Sequence, residues 1–365
     1  MNNLLFFASD FKIGLSSLLT DELMALYNSN INIIAVAGEN EQEKGLSEKL
    51  TEKKIFIHKI AGLDEHKQFK QLANSLYKLI LSNDIRFVHV QNNWQLALIV
   101  YVKYILLKSS KLKIIYTLHG FRHNNPVKAR IAQLVIGTAL LLFADKIICM
   151  STYLVKKFCL LKYKIALIPL GVNEEYFFKE QPAIPSNGLQ MVFPAQFRFG
   201  KNQDLIIRAF AEHIKKTGDM QSHLIFPGTG PLEDKLKELV KSLNLSDRVT
   251  FPGFCSKDVV KDLYLRSNIG IVASNCETFG QSIVEPFVLG RCVISTHVGI
   301  AEDILINGEN GFFFSNQKEL EDVFSQLYNN QNLISKLGSK NYKNRNMFSW
   351  NTVKSKYEQM IANIK

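Results

Sequence analysis

The chain alternates short apolar runs, rich in β-branched and aromatic residues, with longer stretches of helical periodicity. Such alternation is typical of βα units, in which each strand of a parallel sheet is followed by a helix. In the first half the runs predict strands over residues 4–8, 31–36, 55–60, 86–90, 113–118, 146–149 and 165–168. The pattern then restarts and predicts strands over residues 190–193, 223–226, 249–251, 269–272, 292–295 and 312–314.

Two such series in 365 residues predict an α/β protein with two Rossmann-like, doubly wound domains. Residues 173–188 combine Pro, Gly, Asn and Glu without periodicity, which indicates an interdomain linker. We therefore predict an N-terminal domain over 1–172, a C-terminal domain over 173–348, and a terminal helix over 349–365 that crosses back to the N-terminal domain. Ligands of open α/β sheets bind beyond the carboxyl ends of the strands, so two facing domains place the active site in their cleft.

Composition excludes several classes of protein. Hydrophobic residues make up 47% of the chain and charged residues 21%, as in ordinary globular proteins. The five cysteines form no C-x-x-C pair, so we expect no disulfide and no structural metal. The opening MNNLLFFASDF has no basic n-region and no cleavable apolar core, which predicts a first strand in a protein that stays inside the cell. The apolar windows at 96–107 and 131–144 are shorter than the roughly 20 residues that span a bilayer.

The net charge of +11 is unevenly distributed. Residues 1–172 contain 22 basic against 12 acidic residues, so nearly all the excess lies in the predicted N-terminal domain. A basic surface suits nucleic acid, an anionic membrane or an acidic substrate, and a solvated lysine-rich face without a partner is the alternative. We expect an anionic membrane surface, and not nucleic acid, as the partner of this domain.

Two carboxylates stand out in ETFGQSIVE, where Glu277 and Glu285 are separated by seven residues across a predicted loop-to-helix transition. Carboxylates accept hydrogen bonds from sugar and ribose hydroxyls, and Gly280 at the helix start lets backbone amides approach a phosphate. On spacing alone, a loop glutamate followed by a solvated helix glutamate is the alternative.

The surrounding sequence, SNCETFGQSIVEPFVLGRCVISTHVGIAEDILINGENGFFF, closely resembles the signature region of family 4 glycosyltransferases. The Glu-(seven residues)-Glu motif, the strand and glycine turn CVISTHVG, and the later Asn310-Gly311 appear in the family's order. Weaker matches are FPGTGPL, VTFPGF, IPLGVN and TLHG. The resemblance implies the GT-B architecture and a retaining transfer from a nucleotide-diphosphate sugar held mainly by the C-terminal domain.

Roles for individual residues follow from the same resemblance. It implies that Glu285 binds the ribose and Glu277 the hydroxyls of the donor sugar. It also implies donor contacts from the backbone of Phe279, Gly280 and Gln281, and from Phe254.

The segment AQFRFGKNQD places Arg198 and Lys201 after the first predicted strand of the C-terminal domain, where a diphosphate would lie. A basic pair there neutralises the charge of the departing nucleotide. The family often has arginine five residues before this lysine, and Gln196 stands there instead, so we expect Arg198 to substitute. Two exposed cations at a βα turn are the alternative. The chain contains no D-x-D motif, which agrees with an enzyme that needs no metal and no cofactor.

Two positions in the N-terminal half complete the predicted site. His119 follows the strand 113–118 and matches the family's histidine near the donor sugar, with a structural histidine as the alternative. Gly14 follows the first strand, where the family has a glycine-rich turn for the donor phosphate, although a plain βα turn explains a single glycine equally well.

These observations predict a cytoplasmic retaining glycosyltransferase, peripheral on the inner face of the membrane. It would move a hexose-like sugar from a UDP- or GDP-sugar to a glycan or lipid-linked acceptor of a bacterial surface polysaccharide such as O-antigen, capsule or lipopolysaccharide. The alternatives are a GT-B sugar-nucleotide epimerase and a two-lobed sugar-binding protein, and the second lacks the export signal that it needs.

Overall fold

A computed structural model describes residues 2–7, 22–23, 26, 31–37, 57–63, 68–119 and 126–364. The chain divides into two compact units. The first comprises Met1–Met150, Leu154–Gly171 and Trp350–Lys365, and the second Ser151–Tyr153 and Val172–Ser349. Ser151–Tyr153 fall in the predicted N-terminal domain but group with the second unit. The reason is that the Ser151 hydroxyl donates to the Thr278 carbonyl (2.7 Å) and the Thr152 amide to the Asp303 carboxylate (2.8 Å).

The first unit contains a parallel sheet in which, among the described residues, the strand order is β3-β2-β1-β4-β5-β6-β7. Strands such as β4 and β6 are mostly apolar and buried on both faces, as parallel sheets covered by helices require. The strands are β1 Asn2–Phe7, β2 Ile31–Ala37, β3 Ile57–Lys59, β4 Phe87–Val90, β5 Lys113–Thr117, β6 Lys146–Cys149 and β7 Ile165–Leu167.

Helices of the first unit contribute apolar side chains to a core cluster that they share with strands of this sheet. The Asn92 side chain accepts a hydrogen bond from the Gln95 amide at 2.9 Å and so caps the second of these helices. The helices are α1 Phe69–Ser82, α2 Asn93–Tyr101, which continues into a π-helical turn at Val102–Leu106, α3 Pro126–Phe143 and α4 Thr152–Lys157, followed by a 3-10 segment at Cys159–Lys164. The first two residues of α4 group with the second unit.

The second unit repeats the architecture with a parallel sheet ordered β10-β9-β8-β11-β12-β13. Its strands are β8 Gln190–Val192, β9 His223–Ile225, β10 Val249–Thr250, β11 Ile269–Val272, β12 Cys292–Ser295 and β13 Gly311–Phe313. Its helices are α5 Gln203–Thr217, α6 Glu233–Ser242, α7 Lys257–Leu265, α8 Gln281–Val288, α9 Ala301–Ile304, α10 Gln317–Asn329 and α11 Gln331–Asn344, with 3-10 turns at Glu174–Tyr176 and Arg345–Phe348.

A terminal helix, α12 (Trp350–Ala362), packs on the first unit. Its buried side chains, among them Val353, Tyr357 and Met360, join a core cluster with residues of β1 and β2. A Cβ on Gly171 would collide with the Trp350 indole, so glycine is needed where the chain passes this ring.

The segment 173–188, predicted as the linker at the start of the C-terminal domain, packs into the second unit. Arg291 is fully buried and donates to the carbonyls of Pro182 (3.3 Å) and Ala183 (2.9 Å). The Asn268 side chain donates to the carbonyls of Pro185 (3.0 Å) and Gly188 (2.8 Å). A non-periodic segment leaves its carbonyls unpaired by any helix or sheet, and these two side chains satisfy them.

The prediction of two Rossmann-like α/β domains is confirmed, and within the described residues each predicted strand is present with ends that differ by at most two residues. Residues 8, 55 and 56 of the predicted strands lie outside the described residues. Among the described residues, no helix combines the length and the apolar character needed to cross a bilayer.

Candidate functional site

The order of the second sheet marks a place for a ligand. Strand β8 has β9 on one side and β11 on the other, so the connections leave in opposite directions and open a crevice beyond the carboxyl ends. Lys201 lies in the loop that follows β8, and Glu277 in the loop that follows β11. Both predicted residues therefore stand at this switch point.

Lys201 and Glu277 form an ion pair between Nζ and Oε1. The Ser274 hydroxyl donates to the same carboxylate oxygen at 2.7 Å. Only 11% of the Lys201 side chain and 14% of the Glu277 side chain are exposed. At this depth each charge depends on the other, because an unpaired charge removed from water is strongly destabilising.

A tight turn presents Lys201. The Lys201 amide donates to the Arg198 carbonyl at 3.2 Å, and Gly200 has φ +86°, the value that the third position of a type II turn requires. The Asn202 side chain donates to Oδ1 of Asn275 at 2.6 Å, and the Asn275 amide donates to the Gly200 carbonyl at 2.8 Å. The loops after β8 and β11 are thus tied together.

Arg198 lies on the same turn but has a different partner from Lys201. Its guanidinium donates to the Phe199 carbonyl at 3.4 Å, and the side chain is half-buried. The structure thus pairs Lys201 with Glu277, whereas Arg198 is close to Lys201 in sequence but bonds to the backbone of its own turn.

Helix α8 starts at the same switch point. Gly280 precedes it with φ +96°, and a Cβ there would lie 2.7 Å from Ile283 Cδ1. The amides of Gln281 and Ser282 open the helix, where the backbone has no intrahelical acceptor and carries partial positive charge. Such amides suit an anionic group of a ligand.

Phe279 can offer only its backbone to a ligand. Its ring is buried and packs on Phe348 at 6.2 Å between centroids. Its carbonyl accepts from the Ile300 amide at 2.8 Å, and a Cβ on Gly299 would collide with that carbonyl. The glycine of CVISTHVG therefore supports the loop that carries Glu277.

The glycines of FPGTGPL have a similar supporting role. A Cβ on Gly228 would collide with the Ala195 carbonyl, and one on Gly230 with the Phe197 carbonyl. The Phe197 amide donates to the Thr229 carbonyl at 2.9 Å, so the loop after β9 holds the loop that leads to Lys201.

Glu285 lies one turn into α8 and is the other predicted carboxylate. Burial raises its pKa to about 7, and Lys257 opposes the rise. Burial raises the pKa of the Tyr176 and Tyr264 phenols as well, and the Glu285 charge adds to it. A carboxyl with this pKa exchanges its proton near neutral pH, so it can both donate to and accept from a ligand hydroxyl.

A second set of polar side chains lies at the carboxyl ends of β4 and β5 in the first unit. His119 Nε2 lies 2.8 Å from Gln91 Oε1, and Gln91 Nε2 lies 3.3 Å from His89 Nε2. His89 also contacts the Thr117 hydroxyl at 2.6 Å through Nε2 and the Tyr357 hydroxyl at 3.0 Å through Nδ1. The chain of contacts runs from His119 to the terminal helix.

Burial fixes the charge of both histidines. It lowers the pKa of His119 to about 4 and, together with His119, the pKa of His89 to about 3, so both rings are neutral at pH 7. Because a carbonyl oxygen only accepts, His119 donates through Nε2 to Gln91 and keeps Nδ1 as an acceptor. His89 accepts the Gln91 amide at Nε2 and donates from Nδ1 to Tyr357.

Two predicted donor-binding residues remain, Phe254 and Gly14. Phe254 follows β10 and is 80% exposed. Gly14 lies outside the described residues. Among the described residues, no group of three His, Cys, Asp or Glu side chains could hold a metal ion.

Sequence reasoning missed Ser274, Gln91 and Tyr357. Ser274 and Gln91 follow the carboxyl ends of β11 and β4 by one or two residues. Because ligands of α/β sheets bind beyond these ends, the sequence positions alone could have marked both residues as candidates. Tyr357 carries no such signal, because its contact with His89 depends on where the terminal helix packs.

Comparison with known proteins agrees with this architecture. The family described as glycosyl transferases group 1 matches residues 174–344. An N-acetyl-alpha-D-glucosaminyl L-malate synthase of Bacillus anthracis is 23% identical over 287 residues, covering 74% of this chain and 72% of that protein. The HepE protein of Anabaena, solved in complex with UDP and glucose, has the same fold with a TM-score of 0.76 at 18% identity, covering 99% of this chain and 100% of that one.

The match to one further relative extends beyond the second unit. An uncharacterized glycosyltransferase of Methanocaldococcus jannaschii is 30% identical over 324 residues, covering 84% of this chain and 86% of that protein. With this identity over most of both proteins, the chain belongs to the glycosyl transferases of group 1.

Proposed function

We propose that this glycosyltransferase is retaining and metal-independent and moves a hexose-like sugar from a UDP- or GDP-sugar to an acceptor hydroxyl. The observation that carries the proposal is the Lys201–Glu277 ion pair at the switch point of the second sheet, beside the start of α8. The HepE complex with UDP and glucose supports a nucleotide sugar as the donor.

Each part of the donor has a counterpart among these residues. Lys201, assisted by Arg198, neutralises the diphosphate, and the amides that open α8 add partial positive charge. Glu285 binds the ribose hydroxyls and Glu277 the hydroxyls of the sugar. The family resemblance further assigns donor contacts to Phe254 and Gly14, and a role near the donor sugar to the neutral ring of His119.

In the reaction, the bond between the anomeric carbon and the β-phosphate oxygen breaks while the acceptor oxygen bonds to that carbon on the same face. The departing phosphate takes the acceptor proton, so no enzyme nucleophile is needed. The protein contributes orientation and stabilises the charge on the leaving diphosphate.

The acceptor is a glycan or lipid-linked sugar of a surface polysaccharide, made at the cytoplasmic face of a membrane. The family resemblance supports this acceptor, and so do the exposed apolar and basic side chains of helix α3 in the first unit.

A panel of UDP-, GDP- and ADP-sugars tests the donor by thermal shift, since a ligand that binds only the folded state raises its melting temperature. The stabilising donor is then incubated with glycan and lipid-linked acceptors, with chelator or with Mg²⁺, and the anomer of the product is read by NMR. We expect transfer with retention in the presence of chelator.

Three results would contradict the proposal. They are the absence of stabilisation by every nucleotide sugar, an inverted product, and activity that requires the divalent ion. Epimerisation of the donor without acceptor would favour the epimerase alternative.

A further inference from the structure

Helix α3 of the first unit is apolar on two faces. Its inner face contributes Ile136, Ala139 and Leu140 to the core beneath it. A helix that is apolar all round is normally buried all round. Yet large apolar side chains on its other face are exposed by 41% to 72%: Val127, Ile131, Leu134, Val135, Leu141 and Leu142.

These exposed side chains form one stripe. At 100° per residue they fall within an arc of about 120°. Lys128 and Arg130, both exposed, lie just outside the arc on its two opposite edges. The outward face of this 18-residue helix is thus an apolar stripe with a cation on each side, interrupted only by Thr138, whose hydroxyl donates to the Leu134 carbonyl.

The 3-10 segment Cys159–Lys164 extends the stripe. Leu160 is 84% exposed and Tyr163 67% exposed. A groove of about 360 Å³ joins the two elements, because its walls include Leu134 of the helix and Leu160 of the segment. We call this combined surface, from Val127 to Leu142 with Leu160 and Tyr163, the α3 surface.

The charge around the α3 surface is predominantly positive. Residues 126–164 contain seven Lys or Arg and a single acidic residue, Asp145. Asp145 is already paired with Lys103 at 3.2 Å and Lys113 at 3.6 Å. The exposed cations are Lys128, Arg130, Lys156, Lys157 and Lys162.

The positive charge around the α3 surface indicates which of two partners, a second copy of the chain or a lipid leaflet, would cover it. A second copy of the chain would bring two cationic rims together, and like charges at an interface oppose association. An anionic lipid leaflet instead offers acyl chains to the stripe and phosphates to the rim. Helices that lie in a membrane interface combine these two features, with lysine and arginine beside the apolar face.

We propose that the α3 surface is a membrane-binding surface, seated in the headgroup region of an anionic bilayer with α3 lying along it. Leucine, isoleucine and valine side chains enter the acyl boundary, and the lysines and Arg130 contact lipid phosphates. The inference rests on exposure and charge in the first unit, so it stands independently of the transferase assignment.

Co-sedimentation of the full chain with vesicles tests it. We expect binding to phosphatidylcholine vesicles that contain phosphatidylglycerol, weak binding to phosphatidylcholine alone, and loss of binding at high salt. Leu134→Glu should abolish it. Lys128→Ala with Arg130→Ala should lower the partition coefficient about 30-fold, the effect of two basic residues near an anionic leaflet.

Matched substitutions in the second unit serve as controls. Ile306→Glu changes the net charge as Leu134→Glu does at a similarly exposed apolar side chain, and Lys235→Ala with Lys241→Ala removes two exposed cations. Both should bind vesicles like the unaltered protein. All variants should keep their circular dichroism and their thermal shift with nucleotide sugar, which separates this test from that of the proposed function.

The proposal is overturned by equal binding to neutral and anionic vesicles or by no binding to either. It is also overturned if the controls lose binding as strongly as the α3 variants. A dimer in solution that Leu134→Glu dissociates, without vesicle binding, would assign the surface to a second copy.

Discussion

At the scale of single residues, the Lys201–Glu277 pair creates a competition. The same ammonium that is proposed to hold the donor diphosphate already has a carboxylate partner. A diphosphate must therefore share or displace that carboxylate, which has a second donor in the Ser274 hydroxyl at 2.7 Å.

This competition predicts that substitutions of Lys201 and of Glu277 affect nucleoside diphosphate binding differently. Lys201→Ala should weaken nucleoside diphosphate binding by roughly 10- to 150-fold, the loss of one charge-assisted hydrogen bond, and leave nucleoside binding nearly unchanged. Glu277→Gln should not weaken diphosphate binding, because it removes the competitor. It should lower turnover by about 10² to 10³, the scale for one preorganised electrostatic contact.

Calorimetry with nucleoside and nucleoside diphosphate, together with turnover, measures both effects. Glu285→Gln is the contrasting variant. Because the proposed partner of Glu285 is the ribose, which both ligands contain, this substitution should weaken the binding of nucleoside and of nucleoside diphosphate alike. Glu277→Gln and Glu285→Gln variants with the same binding profile would refute the division of roles.

At the scale of elements, helix α8 tolerates a proline in its interior. Pro286 has no N–H, so the Ser282 carbonyl one turn earlier lacks its helical donor. The Tyr264 hydroxyl donates to that carbonyl instead, at 3.3 Å. A Cβ on Gly270 of β11 would collide with the proline ring, so the glycine provides the space that the ring occupies.

Because the Tyr264 hydroxyl replaces the backbone donor that Pro286 lacks, substitutions of these two residues should have non-additive effects on the free energy of unfolding. Tyr264→Phe should lower the free energy of unfolding by about 1 kcal/mol, because it removes the hydrogen bond to a partly buried carbonyl. In a Pro286→Ala background the restored amide serves Ser282, so the same substitution should have a smaller effect. Urea unfolding of the four proteins gives the coupling, and equal effects of Tyr264→Phe in both backgrounds would exclude it.

The elements also show what a sequence can and cannot predict. Strands such as β6 and β11 were predicted to the residue, because a buried parallel strand is an unbroken apolar run between polar turns. The packing of segment 173–188 could not be predicted, because Arg291 and Asn268, which pair its carbonyls, are about 80 or more residues away in sequence. Resemblance brought Lys201 and Glu277 to notice, whereas their pairing depends on how two loops meet.

At the scale of the whole molecule, the first unit contains a buried acid that affects stability. Burial raises the pKa of Glu22 from 4.5 to about 8. Burial also raises the pKa of the Tyr357 phenol, with a contribution from the Glu22 charge, so this acid lies near the terminal helix.

The sign of the resulting pH dependence follows from these values. Below pH 4.5 Glu22 is protonated in both the folded and unfolded chain. As the pH rises toward 8, only the unfolded chain releases the proton, so the free energy of unfolding falls by about 1.4 kcal/mol per pH unit. Above pH 8 the loss is complete.

Glu22→Gln should remove this contribution, so the variant should gain stability over the unaltered protein as the pH rises. Urea unfolding at pH 5, 6.5 and 8 measures the difference, with the exposed Glu238→Gln on α6 as control. A difference between Glu22→Gln and the unaltered protein that does not change with pH would show that Glu22 is not the group responsible.

The position of α12 also sets an order of events during synthesis. The core of the first unit is completed by Val353, Tyr357 and Met360, which leave the ribosome only after all of Val172–Ser349. At 5 to 20 residues per second, that interval lasts roughly 10 to 35 s. The second unit, although later in the chain, is therefore the first whose residues are all available to fold. Until α12 emerges, the nascent first unit presents an uncovered apolar surface, and this is the interval in which the growing chain is most exposed to aggregation and to the chaperones that hold such surfaces.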